Sequence, residues 1–184
     1  MTDKRSDRQL IKAIRDGLSV KRFHVVRHVA VPETVGHHTC NMINLIFILY
    51  QGSPPLPLVH RALMHDVPEA VTGDIPAHTK WHIPLFAEIL KNIEEVVVRD
   101  LGIPHPHLAP LEEAVLRFVD ILELCLKSIE EVDAGNEVFK EIFGRGAREC
   151  MKILQGPLKE FPAAHELFEQ LFELRKVEYD EQIH

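Results

Sequence analysis

Apolar residues recur along most of the chain at the three- and four-residue spacing of an α-helix, and the alternation typical of strands is nearly absent. Prolines and glycines divide this pattern into segments of helical length. The pattern therefore predicts an all-α fold, a bundle of about six to seven helices. The length suits one domain covering residues 1–184.

The breaks in the pattern give the expected bounds of the helices. Thr34 suits the N-cap of the second helix, and Pro110 suits the first turn of the fifth. The stretch 72–83 contains Gly73 and Pro76 and is expected to be an ordered loop. The expected helices cover residues 7–16, 35–52, 57–71, 84–102, 110–134, 137–154 and 162–180.

The fourth expected helix carries two kinds of side chain. Ile89 and Ile93 lie on its apolar stripe, so we expect them to be buried. Glu94 and Glu95 are typical of a solvated helix face. This helix is thus expected to be amphipathic.

Charge and composition narrow the class of partner. The 28 acidic residues exceed the 21 basic ones, giving a formal net charge of −7, which disfavours duplex nucleic acid as a partner. A small phosphorylated ligand needs only a few local cations. The three cysteines form no CxxC pair, and the longest apolar run, residues 42–50, is shorter than the ~20 residues of a membrane span. We expect a cytoplasmic protein with no membrane partner.

The strongest chemical signal is the pair His65-Asp66 inside an otherwise apolar helical stretch. A buried carboxylate needs a compensating partner, and a metal ion is one that would also use the neighbouring imidazole. Glu69 follows about one helical turn after His65 and projects toward the same side. Pro68 lacks an N–H and predicts a kink that leaves the carbonyl of Met64 unpaired.

Two further residues fit the same chemistry. His38 falls on the apolar stripe of the second helix, next to His37, and Asp120 lies among apolar residues in the longest helix. Each also has an ordinary interpretation, His38 as a hydrogen-bonded core residue and Asp120 as the partner of an arginine. Together with His65-Asp66 they form a mixed nitrogen and oxygen donor set. Such a set suits one divalent ion, whether Co, Mn, Zn or Mg.

The order of these motifs resembles the HD phosphohydrolase superfamily, and the resemblance implies the metal ligands His38, His65, Asp66 and Asp120. Within it the chain is similar to the YfbR-like 5′-deoxynucleotidases and also to the small phage dATP triphosphohydrolases. It departs from them at Phe23, where tryptophan is usual, and at His37, where glutamate is common. The matching stretches are Lys21-Arg22-Phe23, Glu33-Thr34-Val35-Gly36-His37-His38, His65 to Pro76, Asp120 to Cys125 and Glu130 to Glu137.

The resemblance and the side-chain chemistry together suggest roles for the remaining site residues. Glu69 would orient the attacking water or move its proton. Asp74, by resemblance, would accept a hydrogen bond from the sugar 3′-hydroxyl. Arg22 suits a phosphate, because a guanidinium binds oxygens bidentately. Phe23 would contact base or sugar, and Lys80 and Arg117 would add positive charge; the substrate set is thus Arg22, Phe23, Asp74, Lys80 and Arg117.

Two substrates and one non-enzymatic function stay open at this point. The enzyme would hydrolyse deoxynucleoside monophosphates to deoxynucleoside and phosphate, or release triphosphate from a deoxynucleoside triphosphate, with dATP as the first candidate. The alternative is a non-catalytic helical module that binds a metal or nucleotide for regulation. The resemblance also implies a homo-oligomer, either a dimer or a larger ring. The base preference stays open, and of the two adjacent histidines we favour His38 as the one that faces the metal, because it matches the motif and lies on the apolar stripe.

Overall fold

The computed structural model describes residues 7–173, apart from the side chains of residues 77, 78, 81 and 84. Seven helices of nine or more residues and two shorter ones account for nearly all of the regular structure in this part of the chain, which confirms the all-α prediction. The expected extension of the last helix beyond residue 173 lies outside the described residues. The helices are α1 (Asp7–Leu18), α2 (Val35–Leu49), α3 (Leu56–Met64), α4 (Glu69–Thr72), α5 (Ala77–His82), α6 (Pro84–Leu101), α7 (Pro110–Asp133), α8 (Phe139–Gln155) and α9 (Pro162–Glu173).

The described residues divide into two compact units. The first unit contains residues 7–27, 31–40 and 60–106. The second contains residues 28–30, 41–59 and 107–173. A single domain for the whole chain stays a prediction.

The first unit is built around the turn that follows α3. Helix α1 contacts α4 and α6, and α6 also contacts α4 and α5. Gly17 lies where α1 approaches this turn, and a Cβ at Gly17 would be only 2.8 Å from the carbonyl oxygen of Val67. A side chain there would force the two segments apart, so glycine sets how closely α1 approaches the turn.

The predicted helix over residues 57–71 is interrupted, which corrects its expected form. It ends at Met64, a turn covers residues 65–68, and α4 begins at Glu69. The carbonyl of Met64 is paired after all, because the N–H of Val67 donates to it at 3.2 Å. The N–H of Glu69 likewise donates to Asp66 O at 3.0 Å. The chain thus accommodates Pro68 by tightening to a three-residue spacing.

Two other expectations are corrected in the first unit. The stretch 72–83 contains the short helix α5, so it is not wholly a loop. On α6, Ile89 and Ile93 are 46% and 44% exposed, whereas Leu90 and Val97 are buried. The buried apolar stripe of α6 is therefore narrower than the spacing of apolar residues in the sequence predicted. The prediction that Thr34 caps α2 agrees with a 3.4 Å hydrogen bond from the N–H of His37 to its hydroxyl.

The second unit has its core between α7 and α8. Helix α7 begins at Pro110, as predicted, and the side chain of Glu112 accepts a 2.7 Å hydrogen bond from the N–H of Ala109. Cys125, Phe143 and Ala147 form a buried apolar cluster between the two helices. None of the helices in residues 7–173 is both long and apolar enough to cross a membrane.

Candidate active site

His38, His65 and Asp66 meet in the first unit. The Nε2 atom of His65 lies 3.2 Å from Asp66 Oδ2, and Nε2 of His38 lies 3.7 Å from the same oxygen. The two imidazole rings have centroids 5.7 Å apart. Ligand atoms bound at about 2.0–2.2 Å around one small divalent ion are themselves about 3.3 Å apart. This donor set therefore fits such an ion without a large rearrangement.

A backbone carbonyl fixes the orientation of the His65 ring. Its Nδ1–H donates a 2.7 Å hydrogen bond to the carbonyl oxygen of Ala62, one turn earlier in the chain. This hydrogen bond assigns the lone pair of the neutral ring to Nε2, the atom that faces Asp66. Histidine ligands in metal sites commonly use the N–H of the other ring nitrogen to donate a hydrogen bond to a carbonyl in this way.

The two adjacent histidines of α2 have different environments. His38 is completely buried, whereas His37 is exposed and has its Nδ1 3.4 Å from the hydroxyl of Thr34. Neighbouring residues on a helix point about 100° apart, so one can face inward while the other faces solvent. Of the two, His38 is the one whose imidazole lies beside Asp66.

The pKa values of two carboxyl groups at this site are shifted in opposite directions. Burial favours the neutral form of Asp66, but His65, His38 and Arg22 outweigh it and lower its pKa below the usual value. Burial and the charges of Asp66 and Asp74 raise the pKa of Glu69 to about 9. Glu69 Oε2 is buried with no hydrogen-bond partner among the described residues. A cation nearby would lower this pKa, because it favours the charged carboxylate.

Arg22 and Phe23 occupy a loop that is held at several points. Arg22 Nη1 lies 3.4 Å from Oε2 of the buried Glu33, and the guanidinium carbon lies 5.2 Å from the centroid of the Phe23 ring. Phe23 has a positive φ of 54°, which is unfavourable for a residue with a side chain. Its N–H donates a 2.8 Å hydrogen bond to Asp74 Oδ2. One oxygen of Asp74 thus supports the loop.

Lys80 and Glu94 complete the charged surroundings. Lys80, on α5, is half-buried and interacts electrostatically with Glu69 and Glu94. Glu94 is also half-buried, and burial raises its pKa, as does Asp66, while Lys80 and His65 oppose the shift. The prediction of a solvated Glu94 is therefore wrong. The signal that distinguishes Glu94 from the exposed Glu95 is helical spacing, because Glu94 lies four residues after Leu90 and three before Val97, which are both buried.

Asp120 and Arg117 lie on α7 in the second unit. Asp120 is half-buried, and its part in metal binding stays a prediction from the order of the motifs. Arg117 is 66% exposed in its side chain, and its Nη2 lies 3.4 Å from Glu149 Oε2 on α8. An exposed pair of this kind contributes little to stability. The part of Arg117 in substrate binding stays a prediction.

Solved structures share the fold of this chain. The cyanophage S-2L HD phosphohydrolase DatZ, bound to dA and one catalytic Zn²⁺ ion, matches with a TM-score of 0.62 and 20% identity over 95% of this chain and 98% of its own. An HD-domain phosphohydrolase from Listeria innocua matches with a TM-score of 0.57 and 16% identity, over 92% of this chain and 85% of its own. At these identities the likeness concerns the fold alone.

Sequence comparison gives the family. A 5′-deoxynucleotidase from Yersinia pestis is 31% identical over 114 residues, which are 54% of this chain and 57% of the relative. The chain thus spans little more than half the length of the curated relatives it matches. The sequence profile described as 5′-deoxynucleotidase YfbR-like matches residues 19–163. That range includes His38, His65-Asp66 and Asp120, so the chain belongs to the YfbR-like 5′-deoxynucleotidase family, as its motifs predicted.

Proposed function

We propose that this protein is a metal-dependent phosphohydrolase that cleaves the 5′-phosphate from 2′-deoxynucleoside monophosphates. The observation that carries the proposal is the approach of His38 and His65 Nε2 to a single oxygen of Asp66, beside the buried Glu69. The name of the Yersinia pestis relative, 5′-deoxynucleotidase, supports the same reaction.

The metal would be one divalent ion, Co, Mn, Zn or Mg, held by His38, His65, Asp66 and Asp120. Asp120 is included from the motif order alone. When bound, such an ion acidifies a water molecule and polarises a phosphoryl oxygen. The presence of one catalytic Zn²⁺ ion in DatZ supports zinc as the first metal to test.

The protein side chains would then position the reactants. Glu69 holds the attacking water and accepts its proton, while Arg22 binds the phosphate oxygens. Phe23 contacts the base or sugar. One oxygen of Asp74 accepts a hydrogen bond from the N–H of Phe23. The other oxygen would accept a hydrogen bond from the sugar 3′-hydroxyl. Catalysis would come mainly from positioning and from neutralisation of charge on the phosphoryl group.

The charge of the first unit favours a monophosphate over a triphosphate. The carboxyl groups that interact electrostatically around Glu69 include Asp66 and Asp74, and the cations acting on it are Arg22 and Lys80. Arg22 is already paired with Glu33, and Lys80 also acts on Glu94. With the two positive charges of a bound ion added, this balance comes nearer to offsetting one phosphate than three. The triphosphohydrolase remains the second candidate, supported by the resemblance to the phage enzymes.

A screen of metals against substrates tests the proposal. The protein is incubated with dAMP, AMP or dATP and with each of the four metals in turn, and products are separated as phosphate or tripolyphosphate. We expect phosphate from dAMP, less from AMP, and a fall in kcat of about 10²–10⁴ for Glu69→Gln. Glu95→Gln, an exposed carboxylate on α6, is the control and should leave kcat unchanged.

Two results would reject the monophosphatase. Tripolyphosphate from dATP together with inert dAMP would assign the triphosphohydrolase reaction. The absence of hydrolysis with every metal would favour the non-catalytic module.

A further inference from the structure

Glu33 is a buried carboxylate that the proposed reaction does not use. It is 6% exposed and lies just before α2, outside any helix. Burial of a charged carboxylate is costly unless an opposite charge compensates it. An opposite charge is supplied by Arg22, whose Nη1 is 3.4 Å away and whose side chain is itself only 11% exposed, and a ring nitrogen of His38 lies within 4.8 Å of the carboxylate.

The backbone holds the same two residues together. The N–H of Arg22 donates a 3.0 Å hydrogen bond to the carbonyl oxygen of Glu33, and the N–H of Val35 donates a 2.9 Å hydrogen bond to Val20 O. Lys21 and Thr34 form an antiparallel bridge between these contacts. Glu33 therefore contacts Arg22 through a backbone hydrogen bond and through an ion pair between the side chains, and the two contacts together restrict the position of Arg22 and the direction of its guanidinium.

The direction matters because of what Arg22 faces. Arg22 acts electrostatically on Asp66 and Glu69, and its guanidinium lies over the ring of Phe23. A guanidinium carries five N–H donors, which is more than one carboxylate can accept. An arginine side chain loses about 2 kcal/mol of rotamer entropy when it is fully ordered. The contact with Glu33 would order the Arg22 side chain on folding, so that this entropy is not lost when a ligand binds.

We propose that Glu33 is a positioning residue, which holds the Arg22 guanidinium ready to receive a phosphate group. This rests on the proposed function, in which Arg22 binds the substrate phosphate. Glu33 touches neither substrate nor metal in this scheme and acts through Arg22. The nearest alternative is a counter-charge that merely offsets Arg22, and the two roles differ in the sign of their effect on anion binding.

The test is the binding of inorganic phosphate to the full chain, measured by calorimetry. Glu33→Gln retains the size of the side chain and removes its charge. A positioning role predicts about tenfold weaker phosphate binding, equivalent to about 1.4 kcal/mol. A mere counter-charge predicts tighter binding, because a negative charge is removed beside the anion. Tighter or unchanged binding therefore overturns the proposal.

A double-mutant cycle tests whether Glu33 acts through Arg22. In an Arg22→Ala background, Glu33→Gln should cause no further weakening, because the group that Glu33 positions is gone. An equal loss in both backgrounds would show that Glu33 acts elsewhere and would overturn the proposal. Thermal unfolding is followed for every variant. If Glu33→Gln does not fold, Glu33→Asp decides, since it keeps the charge but withdraws it from Arg22; weakened binding supports positioning, and unchanged binding rejects it.

Turnover of dAMP separates this inference from the function on which it rests. We expect Glu33→Gln to raise KM about tenfold and to change kcat by less than about threefold, because the lost orientation affects mainly phosphate binding. If the unaltered protein binds phosphate through Arg22 but hydrolyses no nucleotide, the proposed function fails and the role of Glu33 stands. If it hydrolyses dAMP and Glu33→Gln binds phosphate normally, only the role of Glu33 fails.

Discussion

Asp74 Oδ2 accepts a 2.8 Å hydrogen bond from the backbone N–H of Phe23, a residue 51 positions earlier that has a positive φ of 54°. Conformations of this kind cost of order 1 kcal/mol for residues other than glycine and persist only where neighbouring contacts maintain them. Asp74 is one such contact. It therefore has a structural task in addition to the contact with the sugar that the family resemblance implies.

Substitution of Asp74 should reveal both tasks. We expect Asp74→Ala to lower kcat/KM for dAMP and for its 2′,3′-dideoxy analogue, because the Phe23 loop loses its acceptor. The preference for dAMP over the analogue should also fall, since a site that binds a hydroxyl discriminates against its absence. Asp74→Asn, which retains an acceptor, is the matched variant and should be milder. An unchanged preference in Asp74→Ala would exclude contact with the 3′-hydroxyl.

The adjacent histidines of α2 offer a controlled test of the metal ligands. His38→Gln should reduce the zinc or cobalt retained after purification, measured by elemental mass spectrometry, because a buried imidazole beside Asp66 is lost. His37→Gln changes an exposed side chain and should leave the metal content unchanged. Equal loss in the two variants, or loss only in His37→Gln, would contradict the assignment to His38.

Gly17 should be sensitive to the smallest side chain. A Cβ at this position would lie 2.8 Å from Val67 O, so Gly17→Ala should lower the free energy of unfolding by about 1–3 kcal/mol. Gly144, within α8, is the control, because its Cβ would meet only Arg148 Nη1 at 3.7 Å. Gly144→Ala should stabilise the protein by up to about 1 kcal/mol, as expected for an unhindered helical site. Urea unfolding of both variants measures the difference.

Glu131 should contribute to stability in a manner that depends on pH. Burial alone would raise its pKa, but hydrogen bonds from the N–H of Val29, from Asn136, from His28 and from the N–H of Ala30 lower it to about 2. The folded state thus binds fewer protons than the unfolded state, whose glutamate has the ordinary value of 4.5. This stabilisation is complete above pH 4.5 and is lost as the pH falls toward 2.

Glu131→Gln measures this contribution. The urea midpoint should drop at pH 7, and the gap to the unaltered protein should narrow between pH 4.5 and pH 3, as far as the protein remains folded. Glu130→Gln, at a largely exposed neighbouring carboxylate, should show a small effect at every pH. A gap for Glu131→Gln that stays constant with pH would mean that the pKa is not depressed in the folded state.

Local signals predicted the helices well where proline or glycine marks an end. Pro84 and Gly102 bound α6, Pro110 opens α7, and Thr34 caps α2 through its hydroxyl. These signals act through the backbone of a few neighbouring residues, so the sequence alone contains them. The short helix α5 has only six residues, too few to show a recognisable periodicity in the sequence.

The residues that were missed depend on tertiary contacts. Glu33 looks like a solvated loop charge until the antiparallel bridge between Lys21 and Thr34 brings it to Arg22. Glu94 becomes half-buried only because of its neighbours, while the adjacent Glu95 stays exposed. The pairing of His65 with Asp66 was visible from residue chemistry. Its approach to His38, 27 positions earlier in the sequence, required the fold.

The tight turn after α3 restricts how this chain can vary in length. His65, Asp66 and Glu69 lie in a turn where the N–H groups of Val67 and Glu69 each donate to the third preceding carbonyl, that of Met64 and that of Asp66. One residue inserted before Glu69 would rotate its side chain by roughly 100° about the local axis and direct it away from Asp66. Substitutions at the intervening positions can be absorbed by repacking, but insertions and deletions cannot, so between Asp66 and Glu69 we expect changes of side chain to be tolerated and changes of register not to be.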